Sequence, residues 1–308
     1  MNHPYVGNGP YCYGNSFAMI LGAAGPSTAV LETCTGGPFG MQLIGGDMMF
    51  FDAYGWNPEL GFGPALTALG WTSTETKGGE SDEALARLGK AAAEGPVWVG
   101  PLEMGLLRHQ PEMRGAIGAD HYVVVLDVDD ERVLIHDPQG YPYAEVPIEE
   151  FMTAWRAETI AYGEPYTMRT DFVRVADVPA VDAIRASIPN AIGWLSMSRG
   201  DGMPPGSLGN GEAAERVASM IDDGAGNGLR EHLMYFAIRV GARRLNDAAD
   251  CLLMAGLDRS AAIAAEQARL VGSMQRPTVT GDLPAAAAAL RALAPTYDRL
   301  RAALEQNT

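Results

Sequence analysis

The segment HYVVVLDVDDERVLIHDP, residues 121–138, decides the fold. Two runs of β-branched and aliphatic residues, 121–128 and 132–138, flank an acidic turn, and Pro138 closes the second. The first run is apolar at successive positions, so both of its faces are expected to be buried. A strand–turn–strand reading returns the chain to its starting end and brings His121 and Asp137 to the same end of a sheet. A two-residue turn at Asp129–Asp130 would set His121 opposite Pro138 and point His121 and Asp137 to opposite faces. Their meeting therefore demands an odd-length loop or a bulge, for example Asp127 opposite Glu131, which sets His121 opposite Asp137.

Outward from this hairpin, GPVWVG (95–100), the start of YAEVPIEEFMTAW (143–155) and TMRTDFVRVAD (167–177) read as further strands. Pro147 lies near the start of the helix within 143–155. SDEALARLGKAAAEG reads as a helix with Ser81 as N-cap, acidic residues in its first turn and a stop at Gly95. Residues 64–70 read as a shorter amphipathic helix. The glycine-rich stretch 26–63 reads as loops with short helical pieces, and its Met/Phe run DMMFFDAYGW (47–56) as core or pocket wall. Beyond Val178, apolar residues at spacings of three and four predict helices near 180–196, 211–223, 227–246, 247–274 and 284–305, the last broken before Pro295. The stretch 197–211 reads as a linker. Helices first, then an antiparallel sheet, indicate an α+β domain over 1–178, followed by an all-helical domain over 179–308.

Cys12 follows a Gly9–Pro10 turn and opens the short helix CYGNSFAMIL. A thiol at a helix N-terminus gains from the dipole and the backbone N–H groups, which favour its thiolate. Taken alone, Cys12 also fits a small buried core residue. His121 changes that reading, because an imidazole is costly to bury in an apolar strand without partners. With Asp137 beside it, the three supply nucleophile, base and orienting group. Cys34 and Cys251 lack a nearby His or Asp and read as core. His109, His136 and His232 read as surface or structural residues, and Asp127, Asp129, Asp130 and Glu131 as turn chemistry.

The 308 residues are 47% hydrophobic and 19% charged, as expected of a globular chain. Three scattered cysteines suggest no disulfide framework, and no Cys/His cluster has zinc-ligand spacing, so neither a structural metal nor a cofactor is expected. No phosphate-binding glycine loop is present. The N-terminus lacks the basic-then-apolar order of a signal peptide, and no run approaches the ~20 apolar residues of a membrane span, so the expectation is a cytoplasmic protein. The net charge of −16 is lopsided: residues 1–180 hold 24 Asp/Glu against 9 Lys/Arg, residues 181–308 hold 14 against 13. An acidic lobe repels phosphate backbones, which argues against nucleic acid, and attracts cationic small molecules. It also serves solubility. The grouping Arg239, Arg243 and Arg244 reads as the one obvious basic patch.

The order of the Cys12 helix, the PVWVG strand and the His121/Asp137 strand pair resembles the papain-like superfamily in its bacteriocin-processing-peptidase-like branch. Within that branch it is most similar to the butirosin biosynthesis protein H family. The resemblance spans about residues 8–175, including GFG (61–63) and VPIEEF (146–151). It continues through 205–306 with GEAAERVASMI and GLREHLMYFA. It implies a papain-like catalytic domain at 1–178 and an acyltransferase of natural-product, including antibiotic, biosynthesis. Cys12 would take an acyl or aminoacyl group from a carrier-protein thioester, and an amine acceptor would then attack it. His121 would move the protons and Asp137 would orient His121. The papain-type pattern places a Gln before the cysteine to complete the oxyanion hole. None precedes Cys12, which leaves Asn8 or Asn15 for that role. A peptidase or amidase using the same three residues is the principal alternative, and a non-catalytic binding module of the same fold is a second.

Overall fold

The five strands read from the sequence and a sixth assemble, in a computed structural model that describes residues 11–111, 113–198, 202–224 and 226–306, into a six-stranded sheet. The chain divides into two compact units. The first takes the chain up to Thr28 together with Gly70–Ala176, and the second takes Ala29–Leu69 and Asp177–Thr308. The second unit thus includes residues 29–69, which the sequence reading grouped with the first part of the chain.

In the first unit, helix α1 (Cys12–Leu21) is followed by β1 (Trp71–Thr76), α2 (Ser81–Glu94), β2 (Val97–Glu103), β3 (Asp120–Val128), β4 (Arg132–Asp137), β5 (Tyr141–Pro147), α3 (Ile148–Trp155) and β6 (Met168–Arg174). The strand order is β1-β6-β2-β3-β4-β5, every neighbouring pair antiparallel. β1 is absent from the sequence reading, since WTSTET carries little apolar pattern and is largely exposed. Glu80, rather than Ser81, holds the N-cap position of α2, without a side-chain cap bond.

The continuous apolar run of β3 is explained by cover on both faces. Val123 and Val125 join Val133 and Ile135 of β4 in a core closed by Ala84, Leu88 and Ala92 of α2 and by Phe151, Met152 and Trp155 of α3. Tyr122 points the other way and meets Tyr13 of α1 edge-on at 6.2 Å. Phe17 of α1 stands against Trp98 at 4.7 Å, and Trp98 stacks on Tyr122 at 5.1 Å. This aromatic ladder seats α1 on the sheet. Gly100 is part of it: a Cβ there would lie 2.3 Å from the Tyr122 ring, so the ring's place requires glycine.

The second unit is mainly helical. Its helices include Thr28–Thr35, Pro58–Leu69, Ala180–Leu195, Asn210–Asp222, Ile238–Met254, Asp258–Ser273, Leu283–Leu293 and Thr296–Glu305. It is not wholly helical, because Leu208–Gly209 pairs with Gln42–Leu43, which also pairs with Met48–Phe50, in a small antiparallel sheet. The glycines and prolines of 197–211 concealed that short strand from the sequence reading. No helix among the described residues is long and apolar enough to cross a membrane.

A buried ion cluster ties this unit together. Arg244 donates to Glu32 at 2.5 Å and to Asp52 at 3.2 Å, and lies over the Trp56 ring at 5.4 Å. Gln42 donates to Asp52 at 2.6 Å. The three arginines read as a basic patch therefore do not share a surface: Arg244 is buried, Arg243 faces Asp247 at 3.7 Å, and Arg239 is exposed. Helical spacing turned the third guanidinium inward, where two carboxylates compensate it. Removing one partner of a buried ion pair strands the other's charge. Arg244→Met is accordingly expected to destabilise the protein by about 3–5 kcal/mol, read as a lowered denaturation midpoint. Adding Glu32→Gln to that variant is expected to recover part of the loss.

Candidate active site

Cys12 is the first residue of α1 and is partly exposed. The helical ladder begins with Asn15 N–H donating to Tyr11 O at 3.0 Å, and no side chain among the described residues caps the turn before it. The start of α1 is therefore a set of backbone donors with a thiol among them. Ser16, one turn on and fully buried, fixes this end of the helix. Its hydroxyl lies 2.6 Å from Cys12 O and 2.8 Å from Tyr122 O, the carbonyl next to His121.

His121 and Asp137 meet through a change of register. Near the turn Val128 pairs with Val133 and Asp127 with Leu134. Carried to the end of the hairpin, that register would place His121 and Asp137 on opposite faces. A shift around Leu126 resets it to Val125 with Ile135 and Val124 with His136. The bulge thus supplies the same-face requirement, although the pairing differs from the Asp127–Glu131 alignment: His121 and Asp137 are diagonal rather than opposite. His121 Nε2 lies 2.9 Å from Asp137 Oδ1, with both side chains fully buried.

The electrostatics follow from that contact. Burial alone would push the His121 pKa down, but the Asp137 charge, its hydrogen bond and the adjacent Cys12 thiol outweigh burial and raise it to about 10. Burial pushes Asp137 the other way, and there the charge of His121 and the hydrogen bonds it receives win, holding its carboxyl well below the ordinary range. Nδ1, the other ring nitrogen of His121, is buried and makes no well-formed hydrogen bond. The contact favours the charged form of the ring, held on one side by a carboxylate with a thiol beside it.

Two further side chains converge on Asp137. His109 Nε2 lies 2.8 Å from Oδ2, and Gln110 Nε2–H donates to the same oxygen at 2.7 Å. The backbone N–H of Gln139 donates to Oδ1 at 2.7 Å. His109 and Gln110 lie on the connection between β2 and β3, which is closed at its base by the buried Glu103. Although burial opposes its charge, Glu103 is held below the ordinary carboxylate range by N–H bonds from Ile117, Gly105 and Gly118 and by the Thr159 hydroxyl. Sequence reading passed over Gln110 and left His109 among surface or structural residues. The connection MGLLRHQPEMRGAIGA also carries Arg108, Glu112 and Arg114, so nothing in its composition singles the pair out.

Asn15 lies within α1 and is 1% exposed, and among the described residues neither its Oδ1 nor its Nδ2 has a hydrogen-bond partner. Asn8 lies outside the described residues. Cys34 and Cys251 are buried in the second unit, and burial pushes the Cys34 thiol up to about 12 and raises Cys251 as well. His136 accepts the Tyr143 N–H at 3.1 Å, and His232 Nε2 lies 2.6 Å from Met49 O. The acidic turn is organised by Asp129, which accepts from the backbone of Glu131 and Arg132. Among the described residues no cluster of His, Cys, Asp and Glu is arranged to hold a metal ion. A recess of about 390 Å³ in the first unit, lined by Gly79–Ser81, Arg156–Glu158 and Tyr166 among others, includes none of Cys12, His121 and Asp137.

Residues 204–305 match the model of the YobF C-terminal domain family. A curated relative, the uncharacterized protein YobF of Bacillus subtilis (strain 168), is 34% identical over 161 residues, which is 51% of this chain and 52% of that protein. The chain thus spans about half the length of the curated relative it matches.

The thiolate is the reactive form of cysteine, and burial withholds it from Cys34 and Cys251. Iodoacetamide at neutral pH is expected to label Cys12 first in the folded protein, as read by peptide mass mapping. Modification of Cys34 or Cys251 at a comparable rate would contradict this assignment of reactivity.

Proposed function

We propose that this chain is a cysteine-nucleophile acyltransferase with Cys12 as nucleophile, His121 as proton carrier and Asp137 as orienting group, and that its first unit is papain-like. The observation that carries the reading is the arrangement of the His121 ring. Nε2 lies 2.9 Å from Asp137 Oδ1 and 3.3 Å from Gln110 Nε2, Nδ1 has no hydrogen-bond partner among the described residues, and the Cys12 thiol raises the ring's proton affinity. A proton-carrying imidazole beside a thiol at a helix N-terminus is the arrangement that nucleophilic catalysis by cysteine requires.

The chemistry follows from these positions. The Cys12 thiolate attacks the carbonyl carbon of a thioester donor, such as an acyl or aminoacyl group on a carrier protein. A new C–S bond forms, the donor's C–S bond breaks, and the departing thiolate takes the proton of His121. An amine then attacks the acyl-Cys12 carbonyl, His121 accepts the amine proton, and the Cys12 thiolate leaves with the amide formed. Backbone N–H groups at the start of α1 are the donors for the oxyanion, and Asn15 is the remaining side-chain candidate among the described residues. Asp137 stays ionised throughout and stabilises the imidazolium whenever it is present.

The acceptor proposed is a cationic amine. Residues 1–180, which carry Cys12, also carry nearly all of the acidic excess. Negative walls concentrate cations, and salt screens that effect. The acceptor KM is therefore expected to rise with ionic strength in steady-state kinetics, and a KM that does not move would leave the acidic residues a solvation role alone.

The direct test is intact mass after incubation with small acyl thioesters. Wild type is expected to gain one acyl group on Cys12 and to lose it to an added amine as the amide. Cys12→Ala should gain none, His121→Ala should acylate at least ~100-fold more slowly, and Asp137→Asn should retain partial activity. Acylation undiminished in Cys12→Ala would overturn the proposal. Release of free acid alone, at a rate indifferent to amine, would move the assignment to a hydrolase.

A further inference from the structure

Asp137 serves two imidazoles. His121 and the Gln139 N–H occupy Oδ1, while His109 Nε2 at 2.8 Å and Gln110 Nε2–H at 2.7 Å occupy Oδ2. Four N–H donors, two on each oxygen, leave the carboxylate no freedom to turn about its bond. The second imidazole is itself held in place: its ring stands edge-on to Tyr141 at 5.6 Å, and its Nδ1 is buried without a hydrogen-bond partner.

That orphaned nitrogen fixes the tautomer. A proton on Nδ1 would face no acceptor among the described residues, whereas one on Nε2 faces Asp137 Oδ2. With Asp137 Oδ2 at 2.8 Å from Nε2, the arrangement is Nε2–H donating to that carboxylate.

We propose that His109 is a positioning residue for the Cys12–His121 pair: its Nε2–H fixes the plane of the Asp137 carboxylate, and through it the orientation and protonation of His121. This rests on the reading of Cys12 and His121 given above. The titratable groups bearing on His121 are Asp137 on β4 and Cys12 on α1. Those bearing on Asp137 are the two histidines, and Tyr141 at the start of β5 faces His109.

The test follows the rate of Cys12 carboxymethylation by iodoacetate against pH in the full chain. Iodoacetate is an anion, so its reaction with the thiolate is favoured while His121 is charged and falls as His121 loses its proton; the alkaline limb reports His121. His109→Phe keeps an aromatic ring and removes the donor, and is expected to lower that limb by about one pH unit. His109→Gln restores an N–H donor and is expected to track wild type. A His109→Phe profile superimposed on wild type, or a His109→Gln profile displaced as far as that of His109→Phe, would overturn the proposal. If His109→Phe fails to fold, ring ¹⁵N shifts of wild-type His109 decide the matter. A proton on Nε2 at pH 7 supports it, and an Nδ1–H tautomer with a bare Nε2 overturns it. A wild-type alkaline limb that persists unchanged in His121→Ala would instead refute the Cys12–His121 reading beneath it.

Discussion

Everything at the candidate site depends on one residue of slippage between β3 and β4. The two strands leave their turn in a register that would send His121 and Asp137 to opposite faces of the sheet. The shift around Leu126 reverses that parity, and the diagonal it creates is short enough for a 2.9 Å contact. A bulge is a local backbone event, yet here it decides whether a histidine buried in a valine-rich strand has a counter-charge at all. The surrounding structure holds it fixed. The core of Val123, Val125, Val133 and Ile135 locks one face, and the Phe17–Trp98–Tyr122 ladder seats the cysteine-bearing helix on the other.

Once the bulge has made the pair, the electrostatics are those of a saturated carboxylate in a dry place. Burial opposes the charge on both partners, and each favours the other's charged form. Such a pair stores its energy in geometry: a carboxylate that rotated would leave an imidazolium uncompensated. That explains why the connection between β2 and β3 carries its own buried anchor. Glu103 gathers three backbone N–H groups and the Thr159 hydroxyl, and this closes the loop that brings His109 and Gln110 to Asp137.

The sequence made the hairpin, the Cys12 helix and the mixed α+β character legible because each has a strong period or a strong stop signal. β1 and the Leu208–Gly209 strand were not legible, since their pairing comes from distant chain and not from their own apolar pattern. Arg244 deceived for a related reason: a guanidinium within six residues of two others looks like surface until helical rotation aims it at Glu32 and Asp52. At the site, the demand for a bulge could be deduced from parity, but its position at Leu126 could not. His109 and Gln110 went unread because a loop's path sets their reach, and no short-range pattern encodes that path.

The central claim is that His121 is held as an imidazolium by Asp137 beside the Cys12 thiol. Ring ¹⁵N and ¹H shifts of His121, followed from pH 5 to pH 11, test it without any substrate. The account predicts both ring nitrogens protonated at pH 7, with loss of the proton only on approach to about pH 10. A His121 that is neutral at pH 7 and titrates near the ordinary imidazole value of about 6.5 would contradict it.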